Sequence, residues 1–197
     1  GCLQIAREGR KQVQQVLQTG AVASQTDSRQ LLGLLLRAEV NGGAEAVYGE
    51  LDRRGGRVDP NLAEAAQQFL KQAAESANPE MQDGLVGVIG NLAIRLQDYP
   101  RGRREQNVAI AILLYQIVLE ARPKHRLPDK WAQTQNNLGN AYSDLPTGDR
   151  AGNLQQAISC YNAALTVRTR ETAPLDWATT QNNLGTAYSD LPTGDRA

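Results

Sequence analysis

Apolar residues recur at helical spacing in the C-terminal part of the chain. Four of them follow one another at intervals of seven, four and three residues: Trp131, Leu138, Tyr142 and Leu145. This spacing places all four on one face of an α-helix. The helix is expected to end before Pro146, because a proline pushes the preceding residue out of the α region. The pattern predicts an amphipathic helix, called helix A below, followed by a turn that contains Gly and Asp.

A second apolar face follows that turn. Its members recur at helical spacing, with intervals of three, one, three and four residues, and are Leu154, Ala157, Ile158, Tyr161 and Leu165. Arg168 continues the same period, and we expect it at the rim of the helix. Asn153 lies three residues before Gln156 and is a candidate capping residue, since its side chain can accept a bond from an unpaired amide at a helix start. The segment predicts helix B, so the unit consists of helix A, a turn, helix B and a second turn.

This two-helix unit recurs at a period of 46 residues. The segment WAQTQNNLGNAYSDLPTGDRA, which begins at Trp131, differs at two positions from the segment that begins at Trp177. A more diverged copy lies one period earlier, where Asn91 matches Asn137. One further step indicates a degenerate unit over residues 39–84. Self-similarity at a fixed period is typical of repeat architectures, in which each unit stacks on its neighbours.

The period divides the chain into five segments. They are an N-terminal helical cap (1–38), the degenerate unit (39–84), two full units (85–130 and 131–176) and a truncated unit with helix A only (177–197). Before the clear repeats, helices are predicted at about residues 3–19, 27–41, 44–54 and 60–77, separated by paired glycines or by the Asp59-Pro60 and Asn78-Pro79 steps. The apolar face of the truncated unit is expected to pack against a neighbour, because an array stopped there leaves it uncovered.

Composition agrees with an all-α protein. Aromatic residues make up 5% of the chain, the hydrophobic fraction is an ordinary 41%, and β-branched runs are scarce. The 21 basic and 21 acidic residues cancel, so no global field favours nucleic acid or a membrane surface. The apolar run from Leu31 to Leu36 is much shorter than the roughly 20 residues of a membrane span. Two distant cysteines, Cys2 and Cys160, form no disulfide framework and favour a cytoplasmic location.

The repeated unit resembles the tetratricopeptide repeat. The resemblance rests on Leu138, Gly139 and Tyr142 in helix A and on Ala157, Tyr161 and Ala164 in helix B. The unit of 46 residues is longer than the familiar one of about 34, and so resembles the long repeats of kinesin light chains and the regular repeats of cyanobacterial multidomain proteins with a caspase-like domain. No such domain is visible here. The resemblance implies a right-handed superhelix of antiparallel helix pairs with helices A on its concave wall.

The resemblance also implies a binding surface for another protein. In such arrays the residue before the Leu-Gly pair faces the groove, and here it is Asn91, Asn137 and Asn183. An amide side chain can pair with both the N–H and the C=O of an extended peptide. Neighbouring residues that would add specificity are Gln133, Asn136, Asn140, Asp144 and Asn182. Three alternatives stay open: the Asn side chains bond to the backbone of the preceding unit, they only solvate a concave face, or the array is an architectural spacer or oligomerisation module.

Catalytic, metal and nucleic-acid sites find little support in the sequence. His125 is the only histidine and has no nucleophile or carboxylate that the period would bring near it, so we expect no enzyme, no metal and no cofactor. Cys160 is expected to be a packing thiol, and Trp131 and Trp177 are expected to fill the junction with the preceding helix B. The basic cluster of Arg101, Arg103 and Arg104 lacks interleaved aromatic residues and is expected to be a solvated turn. The expected partner is therefore a protein or peptide.

Overall fold

The computed structural model describes residues 25–192. These residues form seven helices and no strand: α1 Gln25–Arg53, α2 Leu62–Ser76, α3 Pro79–Asp98, α4 Arg104–Ala121, α5 Pro128–Asp144, α6 Arg150–Leu165 and α7 Pro174–Ser189. Consecutive helices pack against each other in chain order. The all-α prediction is confirmed over this range, and none of these helices combines the length and apolarity needed to cross a membrane. The helix predicted at residues 3–19 lies outside the described residues.

Helix α1 contains a sharp kink at a glycine. Gly43 has φ 57° and ψ −139°, which no residue inside a regular α-helix adopts. A side chain would strain this backbone, because the left-handed region suits glycine. The two helices predicted at 27–41 and 44–54 therefore follow each other without a loop.

Prolines and short polar side chains set several helix starts. Pro79, Pro128 and Pro174 each occupy the first turn of a helix, where the missing N–H costs nothing. The Oδ1 atom of Asn78 accepts a hydrogen bond from the Met81 N–H at 2.8 Å. The sequence signal at Asn78-Pro79 is thus a true helix cap.

The start of α6 differs from the prediction. Asp149, rather than Asn153, is the capping residue, and its carboxylate accepts a bond from the Ala151 N–H at 3.1 Å. Asn153 lies inside the helix, 2% exposed, and its amide donates to the Thr147 carbonyl oxygen at 2.9 Å. It stabilises the preceding turn. The helix begins earlier than expected because a carboxylate next to the first turn is the better partner for the free amides.

A tyrosine ring fills the space between α5 and α6. Tyr161 on α6 is 2% exposed, and its ring lies against Gly139 on α5. A methyl group at residue 139 would come within 2.5 Å of that ring. The Tyr161 hydroxyl donates to Asn140 Oδ1 at 2.9 Å, and burial raises its pKa to about 12. Tyr115 on α4 is equally buried. The helices of the last complete pair approach closely because residue 139 has no side chain.

Ion pairs connect helices that are distant in the chain. They are Glu39–Arg95, Asp52–Arg101, Arg104–Asp144 and Arg150–Asp190. The last two pairs occupy corresponding positions one period apart and join the start of a helix B to the end of a helix A. Arg168, predicted at the rim, is 8% exposed, and its guanidinium donates to Thr180 Oγ1 at 3.1 Å. That prediction was wrong, because α7 folds over the end of α6 and supplies a buried partner.

Replacing Gly139 by Ala should destabilise the protein, whereas the same change at Gly185 should stabilise it. The added methyl at residue 139 collides with the Tyr161 ring, which costs about 1–2 kcal/mol of unfolding free energy. At Gly185, one period later, nothing lies within 4 Å of the added atom. There the better helix propensity of alanine contributes about 0.5–1 kcal/mol. Urea denaturation monitored by circular dichroism measures both values, and equal shifts in the two variants would contradict the packing.

Candidate functional site

Polar residues form a stripe along the accessible side of α5. The stripe consists of Gln133, Asn137, Asn140 and Asp144, at intervals of four, three and four residues. Gln133 and Asp144 are exposed, and the two asparagines are half-buried. Helical spacing places these side chains above one another on one face. The stripe offers amide donors, amide acceptors and one carboxylate along a length of about 17 Å, at 1.5 Å per residue.

Corresponding stripes lie on the neighbouring helices. On α7 the same places hold Thr179, Asn183, Thr186 and Asp190. On α3 they hold Gly87, Asn91, Ile94 and Asp98. Helix α5 contacts both α3 and α7, whereas no Cα atoms of α4 and α6 come within 8 Å of each other. The three stripes therefore belong to a row of adjacent helices.

Asn183 is engaged within the fold. Its Nδ2 atom donates to Asn136 Oδ1 at 3.2 Å and to Asn140 Oδ1 at 3.0 Å, which connects α7 to α5. Asn140 also accepts the Tyr161 hydroxyl. Both donor hydrogens of the Asn183 amide are thus used, and Asn140 has two donors on one oxygen.

Asn137 and Asn91 have no such partners. The residues one period before Asn136 and Asn140 are Gly90 and Ile94, whose side chains offer no acceptor. Asn137 is half-buried and Asn91 is exposed, and neither side chain makes a hydrogen bond within the described part of the chain. These two amides keep their full capacity to donate and accept.

The remaining predicted contact residues lie in different surroundings. Asn136 is 6% exposed and accepts the bond from Asn183, so it lies beneath the surface. Asn182 is exposed, but it is the counterpart of Asn136 and so lies beside the α7 stripe rather than in it. Asp144 accepts bonds from Gln97 Nε2 at 3.0 Å and pairs with Arg104 at 3.6 Å. Of the eight residues, the stripes contain Asn91, Gln133, Asn137, Asn140, Asp144 and Asn183.

The sequence analysis did not predict a partly buried charge cluster at the start of α3. The Arg122 Nε atom donates to Asp83 Oδ1 at 2.6 Å, and Lys130 Nζ donates to Asp83 Oδ2 at 2.5 Å. Burial acts to raise the pKa of Asp83, but the hydrogen bonds from Lys130 and Arg122 outweigh it and hold the pKa below its ordinary value. The cluster joins the start of α3 to the end of α4 and the start of α5. The period matches Asp83 with Asp129 and Arg122 with Arg168, but Asp129 is exposed and Arg168 binds Thr180, so the match does not reveal the cluster.

A cleft of about 150 Å³ adjoins this cluster. Leu70, Val86 and Leu127 contribute apolar walls, and Arg122 and Arg126 lie at its edge. Its volume suits one apolar side chain. The Arg122 guanidinium already pairs with Asp83, so the main role of the cluster is to hold the helices together.

The other side chains named in the sequence analysis are packed in the fold or lie at its surface. Cys160 is 8% exposed, and burial raises the pKa of its thiol to about 12. The expectation of a packing thiol is thus met. Trp131 is half-buried, with the Lys124 ammonium 5.3 Å from its ring centroid. His125 is exposed, and among residues 25–192 no three His, Cys, Asp or Glu side chains cluster as a metal ion requires.

The basic turn before α4 is paired with carboxylates. Arg101 binds Asp52, Arg103 binds Glu105 at 3.1 Å, and Arg104 binds Asp144 at 3.6 Å. Exposed pairs of this kind contribute little stability, about 0–1 kcal/mol each. Each arginine of the turn thus has a carboxylate beside it that offsets its positive charge.

No family model, curated protein or solved structure matches this chain. Its contacts, burial and charges are therefore the grounds on which function is inferred.

Asn183→Ala and Asn137→Ala should differ in stability. The change at residue 183 removes two hydrogen bonds and leaves two acceptors with one donor fewer, a loss of about 1 kcal/mol of unfolding free energy. The change at residue 137 removes no bond and should stay within about 0.5 kcal/mol of the parent. Chemical denaturation of both variants provides the comparison. A larger loss for Asn137→Ala would refute the assignment of the free amide.

Asp83→Asn should destabilise the protein near neutral pH but not in acid. The folded-state pKa of Asp83 is lowered, so its contribution is present above the unfolded value near 3.9 and is lost as the pH falls through the folded value. At pH 7 the loss is expected to be about 1–2 kcal/mol, because Arg122 is left buried without its carboxylate. Asp129→Asn is the matched control, with an effect of about 0.5 kcal/mol at a helix start. Urea midpoints measured between pH 3 and pH 7 test whether the stability of Asp83→Asn approaches that of the parent as the pH falls.

Proposed function

We propose that this chain is a tetratricopeptide-like interaction module that binds an extended protein segment along the stripes of α3, α5 and α7. The observation that carries the proposal is the pair of unused amides at Asn91 and Asn137, which lie one period apart on contacting helices. Buried polar groups normally find partners in the fold, and the half-buried Asn137 amide has none among the described residues. The exposed Asn91 amide lies at the matching place one period earlier, so both amides can form hydrogen bonds with another molecule.

Local correspondences support a unit of 46 residues. Helices α4 and α6 begin one period apart, at Arg104 and Arg150, and so do α5 and α7. In both turns a glycine of positive φ, 81° and 84°, is followed five residues later by an asparagine whose amide donates to a turn carbonyl. Equal turns and equal helix starts favour equal stacking of successive pairs.

The contact pattern supports an inner wall made of helices A. Helices α3, α5 and α7 contact in sequence, while α4 and α6 stay apart. In a curved stack the elements on the inside lie closer together than those on the outside. We infer a superhelix with the stripes on its concave side, the arrangement that the repeat resemblance implies.

The spacing of the two amides suits an extended ligand. Packed helices lie about 8–10 Å apart, and an extended chain rises about 3.3 Å per residue. Asn91 and Asn137 would thus engage backbone groups about three residues apart, each amide accepting one N–H and donating to one C=O. Asp144 and Asp190 each have an arginine partner, so we expect recognition by hydrogen bonds with weak dependence on salt.

A peptide-display selection against the folded chain tests this function. For a selected peptide, Asn91→Ala and Asn137→Ala should each weaken binding about five- to tenfold, because each removes about 1 kcal/mol of hydrogen bonding. Asn162→Ala, an exposed asparagine on α6 outside the stripes, is the matched control and should leave affinity unchanged. Calorimetric titration gives the affinities, with urea midpoints to show that all variants stay folded. Selection of no peptide, or equal effects of all three variants, would remove the proposal.

An architectural or oligomerisation role is the second candidate. The observation that favours it is the exposure of large apolar residues on the last helix, with Leu175 84% and Tyr188 55% exposed. Exposed apolar side chains of this size are candidates for contact with another chain, and their chemistry differs from that of the polar stripe on α5.

A further inference from the structure

The cleft beside the Asp83 cluster has apolar walls and opens to the surface. Its volume is about 150 Å³, and its walls are Leu70, Val86 and Leu127. Val86 is buried, whereas Leu70 and Leu127 are half-buried. A cavity of about this size holds one benzene ring. The cleft therefore has room for a small apolar group that arrives from solvent.

Two small side chains of α2 keep this room open. Ala73 and Ala74 also line the cleft, and the residues one period later are Leu119 and Glu120. Both of these are larger, and Leu119 packs against the hydrophobic core. Since Ala73 lines the cleft, a leucine in its place would project into it. The room beside Ala73 and Ala74 thus distinguishes the junction of α2, α3 and α4 from the next junction of the array.

One guanidinium at the edge of the cleft is unpaired. Arg126 is exposed, and its side chain makes no hydrogen bond or ion pair within residues 25–192. The other arginine of the lining, Arg122, is bonded to Asp83. Among the described residues that line the cleft, Asp83 is the one carboxylate, and Lys130 also donates to it. The edge thus has an excess of positive charge, and Arg126 is the group that can bind an anion.

We propose that this cleft binds a small carboxylic acid that has one compact apolar group, of about six carbons. The apolar group lies between the walls of the cleft, and the carboxylate pairs with Arg126 at its edge. A guanidinium suits this role, because two of its N–H groups can donate to both carboxylate oxygens at once. The proposal does not depend on peptide binding by the stripes, because neither Asn91 nor Asn137 lines the cleft.

Hydrocinnamate, a phenyl ring joined to a carboxylate by a short chain, is the direct probe, and its neutral amide is the control. Calorimetric titration of the whole chain should give saturable binding of the acid, with a dissociation constant of about 0.1–1 mM, since so small a ligand buries few atoms. The amide should bind at least about fivefold more weakly, because it cannot form the ion pair. NMR shifts of methyl groups should centre on Val86 and Leu127 and spare Leu138.

Two variants of the chain test the two halves of the site. Arg126→Gln removes the cation and should weaken hydrocinnamate binding at least about fivefold, to the level of the amide. Arg170→Gln changes an exposed arginine of the next loop and is the matched control, which should leave binding unchanged. Ala73→Leu fills the cleft and should remove binding of both compounds. Urea midpoints show whether each variant is folded.

The charge variant decides the question even where Ala73→Leu is too crowded to fold, because the Arg126 side chain has no bond within residues 25–192 to lose. Lack of saturable binding, equal affinity for acid and amide, or insensitivity to Arg126→Gln would each overturn the proposal. Tighter binding of a short peptide that ends in phenylalanine than of hydrocinnamate would assign the cleft to the carboxyl terminus of a polypeptide and would also overturn it.

Discussion

The contact of the Tyr161 ring with Gly139 is the constraint on which the rest of the last complete helix pair depends. The ring fills the space between α5 and α6 only because residue 139 lacks a side chain. Its hydroxyl then reaches Asn140, and Asn140 accepts Asn183 from the next helix. Apolar packing inside one pair is thereby connected to the polar junction with the following helix. Each step needs the previous one, because hydrogen bonds of about 3 Å tolerate little displacement of their helices.

The differences between units decide which polar side chains are paired within the fold. Asn137 and Asn183 occupy the same place in nearly identical segments, yet within residues 25–192 only the Asn183 side chain has hydrogen-bond partners. The cause lies one unit earlier, where Gly90 and Ile94 stand at the places of Asn136 and Asn140. An amide that finds an acceptor stabilises the stack, and an amide that does not is available to another molecule. Repetition builds the stack of helices, and divergence in the earlier unit leaves the Asn137 amide without a partner among residues 25–192.

Charged groups adapt each junction in a different way. The Arg104–Asp144 and Arg150–Asp190 pairs repeat with the period, whereas the Asp83, Arg122 and Lys130 cluster occurs at one junction. Arg168 is the counterpart of Arg122, but it turns to Thr180 on the following helix instead of the preceding one. A buried guanidinium must have a partner, and the neighbouring helix that offers one decides where it points. The same residue in the same register therefore joins different helices.

The sequence by itself determined the local features of this protein. Proline positions, the Asn78 cap and the apolar spacing act over one or two helical turns, so the helices and most of their boundaries were predictable. The choice of Asn153 as a cap failed because the competing carboxylate of Asp149 was nearer to the free amides. Burial of Arg168, the Asp83 cluster and the separate fates of Asn137 and Asn183 depend on atoms about 40 residues away or more, or on a neighbouring helix. Only the tertiary structure decides these, because a polar side chain takes whichever partner the packing of whole helices brings within hydrogen-bond distance.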